Sequence, residues 1–99
     1  MLCIETTLVK TVEKRLTIGN RLGLHARPAA LVAQLAGRFQ ADISIVSEEN
    51  IVADAKSILS ILMLGASCGS KLRILAEGID ASAALEAIQG LFDGKFDED

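Results

Sequence analysis

Gly23-Leu24-His25-Ala26-Arg27-Pro28-Ala29-Ala30 holds the only histidine and the only proline of a 99-residue chain, at a place where loop gives way to helix. Proline has no amide hydrogen and its backbone angle is already near the helical value, so it favours the first helical position. Pro28 is therefore read as a helix start, and His25 falls just outside it. The amides that a first turn leaves without internal partners, with the positive end of the peptide dipoles, form a site for an anion such as phosphate. Arg27 adds a planar fork of donors that stays charged at physiological pH and suits phosphate oxygens.

The flanking sequence alternates between two periods. Val12, Leu16 and Ile18 alternate with Glu13, Arg15 and Thr17, the pattern of a half-buried strand, and Gly19-Asn20-Arg21 breaks it. After Pro28, Val32, Ala36 and Phe39 fall at helical spacing beside Leu31 and Leu35, giving a helix of about three turns that frays at Gly37. Asp42 to Val46 and Ile51 to Ala53 read as a hairpin around Ser47-Glu48-Glu49-Asn50. Asp54 and Ser57 are alternative N-caps for a short helix running toward Leu64 and stopped by Gly65. Leu72 and Ile74 mark a further strand that closes near Gly78. Asp80 is then expected to cap a helix with Ala84, Leu85, Ile88, Leu91 and Phe92 on one side.

The order β-α-β-β-α-β-α predicts an α+β fold, an open-faced sandwich with a four-stranded, mostly antiparallel sheet and three helices on one face. Residues 12–99 are expected to form a single domain. Residues 1–11 are an N-terminal extension that could be an added strand, a partner contact or a leader. The acidic tail from Phe92 to Asp99 is expected to be solvated.

Composition narrows the function. The chain is 51% hydrophobic but only 3% aromatic, so Leu, Ile, Val and Ala build the core, with Phe39, Phe92 and Phe96 as its large rings. A net charge of −3 gives no electrostatic footprint for nucleic acid. Cys3 and Cys68 stand far apart with no C-x-x-C pair, so no metal site, cofactor or disulfide framework is expected. The N-terminus lacks the features of a secretory signal, and the longest apolar run is too short to insert in a membrane. A cytoplasmic protein is expected. Gly65-Ala66-Ser67-Cys68-Gly69-Ser70-Lys71 has its glycine and Ser/Lys in the wrong places for a nucleotide-binding loop and reads as a turn.

Neutral imidazole is a nitrogen nucleophile with a reference pKa of about 6.5. Phosphoryl transfer passes through a loose transition state, so positioning and electrostatic stabilisation carry most of the rate. A loop histidine, an arginine and a helix start together supply both.

The octapeptide, with Ala55-Lys56-Ser57-Ile58 further on, resembles the histidine-containing phosphocarrier family (HPr and its nitrogen-related branch, NPr) of the bacterial phosphoenolpyruvate-dependent phosphotransferase system. The match runs from about Val12 to Phe92. The resemblance implies a phosphoryl carrier rather than a stand-alone enzyme: His25 accepts the group from enzyme I and donates it to enzyme IIA, Arg27 stabilises it, and Pro28 and Ala26 support the geometry. It also implies that Ser57 is a regulatory phosphorylation site, served by a serine kinase/phosphorylase and read by a transcriptional regulator. Leu24, Ile58 and Leu62 are expected to dock partners beside His25.

Departures from the family pattern are the N-terminal stretch, Ala26 where a hydroxyl residue is common, one added residue between Glu48 and Val52, and Leu62 where a polar residue is common. The acidic ending is similar to the nitrogen-related branch, whereas Lys56-Ser57-Ile58 is similar to carbohydrate-branch members. Two readings from other classes compete: a binding module controlled through Ser57 without phosphoryl flux, and an RNA-binding sheet. The second lacks the Tyr and Trp such a surface uses for stacking.

Overall fold

The computed structural model describes residues 11–97. Strand β1 (Thr11–Thr17) leads through a loop to helix α1 (Ala26–Ala36), then β2 (Asp42–Val46), β3 (Val52–Asp54), α2 (Ile58–Leu62), β4 (Lys71–Glu77), α3 (Ala81–Asp93) and a 3-10 turn at Lys95–Asp97. The sheet order is β1-β4-β2-β3 and each neighbouring pair is antiparallel. This is the expected open-faced sandwich. Apart from Thr11, which opens β1, the extension 1–11 lies outside the described residues.

Strand alternation explains the two layers. Leu16, Ile43, Ile45, Ala53, Leu72, Ile74 and Ala76 are buried, while neighbours such as Arg15, Asp42 and Lys71 are exposed. The buried row packs in one apolar cluster with Ala29, Val32 and Ala36 of α1 and Ala84, Leu85, Ile88 and Phe92 of α3. Branched and small side chains fill that layer, as the near-absence of aromatics requires.

The end of α1 at Gly37 agrees with the sequence reading, whereas its start differs. The helix begins at Ala26, so Pro28 is its third residue rather than its first. A missing amide hydrogen is harmless there too, because the whole first turn lacks internal acceptors. Phe39 lies beyond the helix, in turns closed by Arg38 N–H to Leu35 O and Phe39 N–H to Ala36 O, yet still packs against the core. Of the two candidate caps for α2, the structure uses Ser57, whose hydroxyl accepts from Ser60 N–H at 3.2 Å.

Asp80 does not cap its own helix. Its carboxylate accepts from the backbone amides of Gln40 and Ala41, both at 2.8 Å, and so ties the start of α3 to the entry of β2. The Gln40 amide bond is the main cause that holds this carboxyl below its ordinary value of 3.8, with the Ala41 amide and Lys56 acting in the same direction against partial desolvation. A carboxyl with a lowered folded-state pKa contributes stability above its unfolded value and loses it as pH falls through the folded one. Urea midpoints should therefore fall on acidification below about pH 3.8, and Asp80→Asn should flatten that dependence. Parallel curves for the two proteins would remove this role.

The tail is not wholly solvated, and its phenylalanine joins the core rings that composition suggested. Phe96 is buried, with its ring 4.9 Å from that of Phe92 in an edge-on arrangement. To seat it, Lys95, Phe96 and Asp97 take left-handed backbone angles, φ 53, 56 and 60. Such angles cost on the order of 1–2 kcal/mol per non-glycine residue, which burial of the ring and the backbone bonds of Phe96 O and Asp97 N–H offset.

Candidate functional site

The loop that carries His25 is fixed from below. Ile18 N–H bonds to Ser70 O at 2.9 Å and Gly69 N–H to Ile18 O at 2.8 Å, which extends the β1–β4 pairing into the next turns. Asn20 is buried, and its side-chain amide donates to Gly23 O at 2.8 Å. Gly23 has φ +72 and lies so close to the opposite loop that a Cβ there would meet Ala66 O at 2.5 Å. Leu24 N–H then bonds to that same carbonyl at 3.1 Å.

Gly23→Ala therefore combines a left-handed conformation with a backbone clash and should cost at least about 2 kcal/mol. Gly65→Ala, where φ is +62 but an added Cβ would meet nothing within 4 Å beyond its chain neighbours, should cost about 1 kcal/mol through the angle alone. Chemical denaturation of the two variants compares them directly, and equal losses would mean that the Ala66 contact is unimportant.

His25 occupies the N-cap of α1 with extended angles, φ −83 and ψ −166. Its carbonyl accepts the first helical bond from Ala29 N–H at 3.0 Å, and its side chain does not cap the helix. The ring is half-buried at the mouth of the helix, as expected. With Pro28 in third place, the first-turn amides that no carbonyl within the helix can reach are those of Ala26 and Arg27. Ala26 is exposed and Pro28 buried, so one faces outward while the other anchors the turn.

Arg27 follows His25 by two positions in the first turn of α1, and its guanidinium donates through Nη1 to Phe96 O at 2.6 Å. Five donors in one plane make that bond compatible with a second, anionic acceptor. The contact spans 69 positions of sequence. Its one sequence-level signal is the i, i+4 pair Phe92 and Phe96, which places two rings on one side of the final turn.

The expected docking residues divide. Leu24 is only 4% exposed and belongs to the core, so it supports the loop instead of presenting surface. Ile58 and Leu62 are exposed, and so are Leu59 at 68% and Met63 at 73%, which the sequence reading did not single out. Five residues of helix cannot bury an apolar run on all sides, and in α2 only Ile61 is buried. This helix packs against α1, which bears His25 at its mouth. Leu22 adds a further exposed side chain in the His25 loop. Ser57 is half-buried at the start of α2; its amide bonds to Asp54 O, and the neighbouring Lys56 Nζ donates to Phe39 O at 3.0 Å. No helix among the described residues is long and apolar enough to cross a membrane.

An open-faced α+β sandwich with a histidine and an arginine at the mouth of its first helix defines the class of this protein. Residues 12–93 match the family described as PTS HPr component, phosphorylation site. The phosphocarrier protein HPr of Treponema pallidum is 47% identical over 89% of this chain and 99% of its own length. The phosphocarrier protein NPr of Shewanella violacea is 49% identical over 88% and 94%. Among solved structures, HPr of Thermoanaerobacter tengcongensis is 41% identical with a TM-score of 0.84, covering 89% of this chain and 98% of that one. The chain belongs to the HPr family of phosphotransferase-system phosphocarriers.

Proposed function

We propose that a ring nitrogen of His25 carries the phosphoryl group, received from phosphorylated enzyme I and passed to an enzyme IIA in the cytoplasm. The observation that supports this reading best is the position of His25 at the mouth of α1, with its side chain outside the helix's own capping. In the accepting step the lone pair of a neutral imidazole nitrogen forms the N–P bond. The bond from phosphorus to the donor breaks, and its electron pair leaves with the donor. Donation to the next partner reverses these roles. Charge on the three equatorial oxygens is met by the first-turn amides, the helix dipole and Arg27.

Incubation with phosphoenolpyruvate and enzyme I should add one acid-labile phosphoryl group, and a chain that stays unmodified under these conditions would refute the proposal. Arg27→Ala should slow the transfer by about 10²-fold or more, the scale seen when one transition-state donor is removed. Stopped-time phosphorylation assays against the wild type measure this, and an unchanged rate would remove Arg27 from the site.

Ile58 and Leu62, with Leu59 and Met63, offer the apolar surface on which partners dock. Similarity to both HPr and NPr relatives at nearly equal identity leaves two branches in view. Transfer rates to a sugar-type and a nitrogen-type enzyme IIA separate them, because the cognate partner reacts faster. Regulation at Ser57 is supported by its cap geometry: a phosphate on that hydroxyl would bring a dianion to the amides that start α2 and alter the adjoining apolar surface. A kinase with ATP should label the native chain but not Ser57→Ala.

A further inference from the structure

The open face of the sheet carries a cluster of charge that phosphoryl transfer at His25 does not use. Arg15 of β1 and Arg73 of β4 are directly opposite in the antiparallel register, and Thr17 is opposite Lys71 one step further on. Like charges placed directly across a strand pair are destabilising. One carboxylate, Glu13, lies between the two guanidiniums, at 3.9 Å from each, too far for a hydrogen bond. The side chain of Arg15 is 83% exposed and that of Arg73 39%, so the first stands in solvent and the second is partly covered.

These residues surround a concavity. Arg15, Lys71 and Arg73, with Ser47, Glu48 and Asn50 from the hairpin turn, line a cavity of about 320 Å³. That is the lower end of the range for small-molecule sites. Three of the ten lysines and arginines of a chain with net charge −3 meet there. Glu48, the one acid in the lining, is directed toward the Lys71 backbone amide at 3.5 Å. Asn50 holds a left-handed angle, φ 66, and closes the turn through its N–H to Ser47 O at 2.9 Å, so one wall is a defined hairpin end.

We propose that this cavity binds a small anion with two or more charges, of the phosphorylated-metabolite class. Two guanidiniums and an ammonium on adjacent strands match several phosphate oxygens at once. The absence of an aromatic ring in the lining favours recognition of phosphate groups over stacking on a base. Arg15, Lys71 and Arg73 take the strand positions alternate to the buried Leu16 and Leu72, hence the side of the sheet away from the helices, and no residue of the His25 loop lines the cavity. An anion seated there would also relieve the opposition of Arg15 and Arg73.

The test is an NMR titration of the full chain with inorganic pyrophosphate at constant ionic strength. Saturable one-to-one binding should shift the amides of residues 15–17, 46–50 and 71–73, and His25→Ala should bind as the wild type does. Arg15→Gln should weaken binding at least five-fold without lowering the thermal midpoint, since it removes an exposed charge set against a like charge. Lys71→Gln should weaken binding comparably, which covers the case where either variant folds poorly. The proposal is overturned by failure to saturate, by shifts confined to residues 19–27, or by an Arg15→Gln and Lys71→Gln double variant that binds like the wild type.

Discussion

His25→Ala should eliminate phosphoryl acceptance from enzyme I while changing the stability of the fold by no more than about 1 kcal/mol. The two halves of this expectation have separate physical grounds. Stability is preserved because the backbone carbonyl of residue 25, not its side chain, accepts the first bond of α1, and because the ring makes no capping bond that alanine would forfeit. Activity is lost because no other side chain of the chain is an imidazole, and an N–P bond of similar lability needs one. Mass spectrometry under neutral and acidic conditions reads the acid-labile adduct, and urea unfolding reads the fold. An acid-labile adduct on the variant would place the acceptor elsewhere, whereas a collapse in stability would show the ring to be a structural residue.

Phe96→Ala should be the most damaging single truncation in the C-terminal turn, with a loss of about 3 kcal/mol. Removal of a buried aromatic ring ordinarily costs about 3–5 kcal/mol, through lost burial and the cavity left behind. Here the lower figure applies. The three left-handed residues at 95–97 are held in place by this ring, so once it is removed the turn can relax and recover its conformational strain. The variant should unfold at a midpoint lower by on the order of 15 °C. Phe96→Leu, which keeps most of the apolar volume, should recover more than half of that. The Arg27 guanidinium resonances should shift in the alanine variant as relaxation of the turn displaces the backbone carbonyl of residue 96 from Nη1. A variant with an unaltered midpoint would mean that the buried ring adds little to the fold.

Sheet and helix order were legible because period and breaker residues act locally. Val12, Leu16 and Ile18 alternate with charges, and β1 follows that alternation from Thr11 to Thr17. His25 could be singled out because one histidine, one arginine and one proline meet within four residues. What could not be read depends on contacts between distant parts of the chain. Asp80 has the composition of a cap, yet its carboxylate turns to the amides of Gln40 and Ala41, forty positions away. Leu24 has the composition of a docking residue, but the bond between its amide and Ala66 O draws it into the core. Pro28 shows a smaller error of the same kind, since any place in the first turn suits a residue without an amide hydrogen, and sequence cannot choose among them.

The pairing of Thr11 with Glu77 and Thr17 with Lys71 also bears on how the chain is made. As the ribosome works from the N-terminus, the hairpin of β2 and β3 can close early, but among the described strands β1 pairs only with the fourth, which is synthesised late. Folding must wait for that long loop to close, at an entropic cost that local structure cannot reduce. Nascent chains halted before Ala66 should therefore lack a formed His25 loop, because Ile18, Gly23 and Leu24 rest on residues from 66 to 70. Competence to receive a phosphoryl group would arrive late in translation and in a single step.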